Sequence, residues 1–309
     1  MVQLDIKRHK STDDMYEVHQ LLSAVELADG IRPLSDHLWL DLRQGGRPGF
    51  AGLLAVHSGD RHGIAYCQVS RGNDSWSLDL IIHPDYRHEM AAIGLQLLAE
   101  AVRIVADEGG GHAHWWVFEP KDTHTALAQA INFVPGRTVL QMRVPLPLAK
   151  EIIALVPVIT TREFRVGHDE QQWLDVNNRA FLAHPEQGGW TLELLRSRVQ
   201  EPWFDSRGFL LHEVNHQLIG FCWTKMHTDA VPILGEIYVV AVDPQFTGGG
   251  LGRALTVAGL QHLNAFGAKI GMLYVDAENT PAVSMYKALG FTTHFVQRAF
   301  VGDISPSSR

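Results

Sequence analysis

The sequence GEIYVVAVDP at residues 235–244 continues as QFTGGGLGRAL at residues 245–255, and this stretch predicts the fold around it. β-branched and aromatic residues fill most of its first part, which is typical of a buried strand. The second part is a glycine cluster that opens an apolar segment with helical spacing. A strand therefore leads into a helix through a loop with few side chains. Backbone N–H groups of such a loop can approach an anion at the positive end of the helix, so a pyrophosphate is the predicted ligand.

The glycine spacing separates this loop from two common phosphate-binding patterns. No Lys-Ser/Thr pair follows the last glycine, as a Walker loop requires, and the dinucleotide fingerprint is not cleanly met. The segment Thr247–Gly252 instead resembles the acetyl-CoA loop of the GNAT N-acetyltransferases, Gln/Arg-x-x-Gly-x-Gly/Ala. Thr247 departs from this pattern, because the family prefers Gln or Arg there. For the glycines alone, a plain tight turn remains the alternative.

The amino-acid composition indicates which classes of protein the chain can belong to. The chain is long enough for two domains, and 46% hydrophobic with 19% charged residues is typical of a soluble globular protein. The net charge is −8 and Lys and Arg do not cluster, so we expect no nucleic-acid partner. The start lacks a signal-peptide core and no apolar run approaches about 20 residues, so we expect a cytoplasmic protein without membrane association.

Cysteine and histidine give no sign of a metal site. Cys67 and Cys222 each lie inside a strand-like apolar run, so we expect buried free thiols, with a disulfide or a catalytic cysteine as less favoured alternatives. The 17 histidines are scattered, and none has the spacing of a zinc site. No metal is predicted.

The two halves of the chain repeat one order of predicted strands and helices. The predicted strands include a pair within 133–144, the start of a strand at 164–167, and strands at 217–227 and 270–276. IHP at 82–84 corresponds to VDP at 242–244, and AINF at 130–133 to ALGF at 288–291, at offsets near 160 residues. We predict two tandem domains, 1–150 and 158–309, with a proline-containing linker between them. The GNAT resemblance implies an α+β fold for each, a mostly antiparallel mixed sheet flanked by helices.

The first copy lacks the glycine loop. Its equivalent segment, PDYRHEMAA at 84–92, places side chains where backbone N–H groups would meet a phosphate. We therefore expect a catalytically idle first domain with a structural and substrate-shaping role. Weak CoA binding around Leu80, Ile81 and Ile82 remains the alternative.

The family resemblance implies acetyl-CoA as co-substrate of the second domain. The backbone along Val240, Ala241 and Val242 is expected to donate to the developing oxyanion, at a point where GNAT strands bulge and separate from a neighbour. The remaining expected contacts to acetyl-CoA are Thr247, Gly248, Gly249, Gly250, Leu251, Gly252, Arg253, Asn279 and Ser284.

Acetyl transfer to an amine also needs a base and an acid. Glu236 is the predicted base, because strand propensity would not choose a carboxylate at that position. Tyr286 is the predicted acid, since a phenol with a reference pKa of about 10 stays protonated at neutral pH and can donate to the departing thiolate. A solvated strand end for Glu236 and a packing aromatic for Tyr286 are the alternatives.

Three further sequence segments resemble one group of proteins within the GNAT family. HPEQGGWT at 184–191, FCWTK at 221–225 and LYVDAEN at 273–279 resemble tandem members that acetylate the cysteinyl amine of desacetylmycothiol, a cysteinyl-glucosaminyl-inositol. Its ammonium and hydroxyls call for carboxylates, a phenol and a cation. The resemblance assigns these roles to Asp36, Glu186, Lys225, Glu236 and Tyr274.

These assignments leave alternatives open. Asp36 is one methylene shorter than the Glu that the family often has, and it also fits the N-cap of a helix predicted over 36–43. Lys225 is equally compatible with a solvated strand end, and Glu186 with a loop charge. At the level of function, the alternatives are a tandem GNAT enzyme for another small amine or a protein N-terminus, and a CoA-binding protein without catalysis. We expect a monomer.

Overall fold

The computed structural model describes residues 4–8, 12–30, 33–34, 42, 49–57, 62–72, 75–182 and 187–307. These residues form two compact units. The first combines Met1–Thr138 with Val296–Arg309, and the second is Val139–Phe295. Within the described parts of the chain, no helix is long and apolar enough to cross a membrane.

The first unit is a six-stranded sheet with helices. Its sheet order is β1-β2-β3-β4-β5-β12, and only β4 and β5 pair in parallel among the pairings of these strands. The elements in chain order are β1 (Leu4–Arg8), α1 (Thr12–Asp29), β2 (Phe50–His57), β3 (Gly63–Arg71), β4 (Trp76–Ile82), a 3-10 helix (Pro84–Glu89), α2 (Met90–Asp107), β5 (Gly111–Phe118), α3 (Asp122–Ala130), the start of β6 (Val134–Pro145) and most of β12 (Thr292–Ile304).

The second unit repeats this plan. Its sheet order is β6-β11-β10-β9-β8-β7, again with one parallel pair, β10 and β11. Its elements after the end of β6 are α4 (Lys150–Ala154), β7 (Arg162–Glu163), α5 (Glu170–Ala180), α6 (Leu192–Val199), β8 (Phe209–Val214), β9 (Gln217–His227), β10 (Leu234–Val242), α7 (Leu251–Ala265), β11 (Ile270–Asp276) and α8 (Thr280–Ala288). The predicted fold class, two mostly antiparallel mixed sheets with helices, is confirmed.

The division into units differs from the predicted domains 1–150 and 158–309. Residues 133–144, expected to form a strand pair, belong to one long strand, β6, whose residues from Val139 onward pair with β11 of the second unit. The last strand of the chain, β12, pairs with β5 of the first unit from Gln297 onward. Each unit therefore takes its last strand from the other repeat, an exchange that local sequence patterns do not encode.

Some predicted elements also need correction. Strand β1 was not predicted, although Leu4 and Ile6 alternate with Asp5 and Lys7 as a strand would. The strand expected over 164–167 is not formed: the two-residue β7 (Arg162–Glu163) lies just before it, and residues 166–168 form a turn. The predicted linker contains α4, and nearly all of the helix predicted over 36–43 lies outside the described residues.

Strand β10 lies between two cores of the second unit. One core joins its Ile237 to apolar residues of α7 and α8, among them Leu255 and Leu289. The other is an aromatic cluster that includes Trp173 and Trp223. Because both faces of β10 are covered, the strand is apolar over most of its length, and its one carboxylate, Glu236, is an exception.

Candidate active site

Strand β10 separates from β11 partway along its length. It pairs with β9 from Leu234 to Val242, but its parallel pairing with β11 covers only Leu234–Glu236. β11 continues to Asp276 on β6 alone. Beyond Glu236 the sheet therefore opens between two strands, and backbone groups of β10 border that opening.

A bulge lies at the start of the opening. The register between β10 and β9 shifts between Ile237 and Val239, and both Tyr238 and Val239 pack with the aromatic cluster instead of alternating. Val240 and Val242 again face the helices, and Ala241 faces the aromatic residues. The irregularity thus begins just before the segment predicted to hold the oxyanion donor.

The glycine loop has a conformation that other residues adopt at a cost. Gly248, Gly249 and Gly250 have φ of +109°, +60° and +76°, and Gly250 is the N-cap of α7. Thr247 and the three glycines are exposed, and a Cβ on Gly248 or Gly249 would meet nothing within 4 Å. The space above the loop is therefore open, and backbone conformation accounts for the glycines there.

The first turn of α7 adds polar groups to this loop. The N–H groups at the start of a helix have no intrahelical acceptor, which applies here to Gly252 and Arg253. The Nε atom of Arg253 is buried and has no partner among the described residues. Leu251 packs with the helical core. An anion held by the loop would meet unsatisfied donors.

Two other predicted cofactor contacts lie at α8. Asn279 is its N-cap, and the side-chain oxygen accepts from the N–H of Ala282 at 3.2 Å. Ser284 is exposed on the same helix. The structure thus gives Asn279 a capping role, and it leaves its amide nitrogen for other contacts.

Glu236 is the centre of a polar cluster on the aromatic face of β10. Its side chain is nearly buried, with 11% exposure, and Oε2 lies 2.7 Å from Nε2 of His227. Lys225 lies directly opposite Glu236 in the antiparallel register, with Nζ 4.7 Å from the ring centroid of Trp203. Glu236, Lys225 and His227 therefore share one face at the start of the opening.

Tyr274 completes this cluster from β11. Its hydroxyl accepts from Nε2 of Gln141 at 2.8 Å, and Oε1 of Gln141 accepts from Nε of Arg143 at 2.8 Å. Burial raises the pKa of Tyr274, and the charge of Glu236 raises it further, while Gln141 and Arg143 lower it. A carboxylate, an ammonium, an imidazole and a phenol are thus placed together.

Tyr286 lies in the core on the other face. Its side chain is 7% exposed, and its ring packs against Phe291 at 5.7 Å between centroids. Burial raises the pKa of its hydroxyl, and the Cys222 thiol adds to this shift. The phenol is therefore held protonated on the face opposite Glu236.

The remaining predicted residues are two substrate contacts and three residues of the first unit. Asp36 and Glu186 lie outside the described residues. In the first unit, Leu80 packs against one core, and Ile81 and Ile82 are buried in its two cores. Their side chains serve packing there.

Three members of the cluster, His227, Gln141 and Arg143, were not predicted from the sequence. His227 lies two residues after Lys225, and strand periodicity places both on one face, so this contact was accessible from sequence. Gln141 and Arg143 come from β6, which was assigned to the other domain. Burial raises the pKa of Cys222 and Cys67, in keeping with the expected buried thiols.

Comparisons with known proteins show the family and the fold of the chain. The family model described as Acetyltransferase (GNAT) family matches residues 171–291. A solved GCN5-related N-acetyltransferase from Sphaerobacter thermophilus is similar in fold, with a TM-score of 0.72, 21% identity and coverage of 99% of this chain and 97% of that one. A tandem GNAT protein from the clavulanic acid biosynthesis pathway gives a TM-score of 0.68 at 16% identity, over 99% and 100% of the two chains.

Two curated relatives are much more similar in sequence. A mycothiol acetyltransferase of Thermobispora bispora is 42% identical over 290 residues, which cover 93% of this chain and 95% of the relative. One of Thermomonospora curvata is 41% identical over 286 residues, covering 91% and 92%. Such identity over nearly the full length of both proteins shows common descent, and the chain belongs to the mycothiol acetyltransferase family of GNAT acetyltransferases.

Proposed function

We propose that the second unit transfers the acetyl group of acetyl-CoA to the cysteinyl amine of desacetylmycothiol. The observation that carries this proposal is the position of Glu236 at the point where β10 and β11 separate. A nearly buried carboxylate at an opening in a sheet, on the strand that leads into a glycine loop, suits an amine that meets a phosphate-bearing thioester. The names and the identity of the relatives support the same activity.

The residues near the glycine loop fit the pyrophosphate of acetyl-CoA. The open space above Gly248 and Gly249 would admit a phosphate, and the orphaned Nε of Arg253 would gain a partner. The backbone of Val240–Val242 would lie along the acetyl end of the molecule. When bound, acetyl-CoA supplies the thioester whose carbonyl carbon the amine attacks.

Glu236 and Tyr286 would act from opposite faces of the sheet. An α-amine has a reference pKa of about 7.7–8.0, so much of it arrives protonated at neutral pH and must lose a proton before or during attack. Glu236 would accept that proton, directly or through water. Tyr286 would give its proton to the CoA thiolate as the C–S bond breaks, and its raised pKa keeps that proton in place until then.

The polar cluster also fits the acceptor. Lys225 and the Tyr274 hydroxyl can donate to sugar hydroxyls, and Glu236 can accept from the ammonium. Asp36 and Glu186 stay predicted acceptor contacts. The first unit is expected to be idle in acetyl transfer, in line with the absence of glycines from its loop at 84–92.

The test is product formation by the purified protein. Desacetylmycothiol carries a thiol of its own, so CoA and the N-acetylated product should be followed by chromatography and mass spectrometry rather than with a thiol reagent. We expect both to appear in equal amounts, and Glu236→Gln to lower kcat by about 10²–10⁴-fold. Turnover with a different amine but not with desacetylmycothiol would contradict the proposed substrate. Acetyl-CoA binding with no turnover on any amine would contradict the proposed activity.

A further inference from the structure

The contact between His227 and Glu236 has no part in the mechanism above. Nε2 of His227 lies 2.7 Å from Oε2 of Glu236. An ionised carboxylate can only accept, so Nε2 carries the proton of this hydrogen bond. No described residue donates to the other oxygen, Oε1. The contact therefore occupies one carboxylate oxygen and leaves the other for a substrate.

Because both side chains are largely shielded from solvent, this hydrogen bond determines the orientation of the Glu236 carboxylate. The Glu236 side chain is 11% exposed and that of His227 is 25% exposed, so water competes little for Oε2. Lys225 lies opposite Glu236, but its ammonium rests over the Trp203 ring. In the described part of the chain, His227 is the one side chain that hydrogen-bonds to Glu236.

We propose that His227 is the positioning residue of the catalytic base: it fixes the Glu236 carboxylate by its Nε2–H and selects Oε1 as the atom that accepts the proton of the amine. This inference rests on the proposed function, because it assigns Glu236 the role of base. It adds a residue that acts on the substrate only through another side chain.

The experiment compares His227→Ala and His227→Gln with the wild-type protein, using acetyl-CoA and desacetylmycothiol. Alanine removes the hydrogen bond, and glutamine keeps an N–H donor but cannot take up a proton. Loss of one hydrogen bond to a charged group corresponds to a decrease of about ten- to a hundredfold in rate. We expect kcat of His227→Ala to fall by about that factor, with an unchanged KM for acetyl-CoA, and His227→Gln to recover most of it.

The KM for acetyl-CoA provides the second measurement. It should stay at the wild-type value in both variants, because His227 acts on the reaction only through Glu236. His168→Gln is the matched control, because His168 is an exposed residue of the same unit. It should leave kcat and the KM for acetyl-CoA unchanged.

Three results would overturn the proposal: wild-type kcat in His227→Ala, an equal loss of kcat in His227→Gln and His227→Ala, or a raised KM for acetyl-CoA in place of a lowered kcat. Failure of the proposed function gives a different result. If the wild-type protein acetylates another amine and not desacetylmycothiol, the substrate assignment fails, and the same comparison with that amine still decides the role of His227. A wild-type protein without turnover on any amine contradicts both.

Discussion

Replacement of Gly248 by alanine tests whether the glycine loop is a phosphate cradle or only a turn. Gly248 has φ of +109°, and a Cβ there would meet nothing within 4 Å. Steric overlap is therefore no obstacle, and the cost is backbone strain of about 1–3 kcal/mol. The loop can relieve that strain by turning its N–H groups away from the ligand.

The chain offers a closely matched control at the other end of the same helix. Gly267 follows α7, has φ of +99°, and also has open space around a Cβ. Gly267→Ala should lower the free energy of unfolding by a similar amount, since strain and surroundings are alike. Only Gly248→Ala should weaken acetyl-CoA binding, by about ten- to a hundredfold if one charge-assisted hydrogen bond is lost.

Calorimetric titration with acetyl-CoA and urea denaturation of both variants make the measurement. The expected result is equal destabilisation with a selective rise in Kd for Gly248→Ala. Equal Kd values in the two variants would refute the cradle, whether both match the wild type or both are weakened. In that case the glycines serve the turn alone.

Two further predictions concern single side chains. Tyr286→Phe keeps the ring that packs on Phe291 and removes the buried hydroxyl. We expect kcat to fall by about 10²–10⁴-fold, with little change in the Kd of acetyl-CoA. An unchanged kcat, with chemistry limiting turnover, would exclude Tyr286 as the acid. Burial raises the pKa of Asp79 to about 6, although a hydrogen bond of 2.6 Å from the Ser77 hydroxyl acts to lower this pKa. Ionisation of Asp79 therefore lowers the free energy of unfolding as pH rises from about 4 to 6. The free energy of unfolding of Asp79→Asn, measured by urea denaturation, should therefore increase relative to that of the wild type by roughly 2–3 kcal/mol over this pH range. A difference that stays constant with pH would contradict the raised pKa of Asp79.

Strand and helix positions followed closely from periodicity where a segment is packed by its own repeat. Residues 217–227 and 270–276 were predicted as strands with the bounds that β9 and β11 have in the structure. Both segments are largely buried, and their apolar runs end at turn residues, so the sequence signal is strong. Glu236 could be identified as a candidate because a charged residue is unusual inside an apolar, strand-like run.

Long-range pairing was not predictable in the same way. The hydrogen bond from Gln141 to Tyr274 joins residues that are 133 positions apart, and it depends on β6 leaving the repeat in which it was predicted. No local property of β6 states which sheet it will join. The register that sets Lys225 opposite Glu236 is likewise fixed by the turn and the bulge between the strands, which sequence patterns do not show.

The two repeats share the turn that precedes the loop and differ in the loop itself. In both units the chain leaves the strand by the same turn: the side chain of His83 accepts from the N–H of Asp85, and that of Asp243 accepts from the N–H of Gln245. The parallel pairing of β4 with β5 also stops early, after Leu78, as that of β10 with β11 stops after Glu236.

The local structures of the two repeats differ only after that turn. In the first unit the 3-10 helix continues to Glu89, and Arg87 is held by Asp29 through two hydrogen bonds of 2.8 and 2.7 Å. In the second unit the equivalent residues are Thr247 and the glycines, which turn through positive φ into α7. Strand separation depends on sheet geometry that both units need for packing, whereas the cradle depends on a few backbone conformations that only glycine adopts without cost. Both sheets therefore contain the opening, whereas the three glycines on which the proposed cradle depends, at 248–250, correspond to His88, Glu89 and Met90 in the first unit.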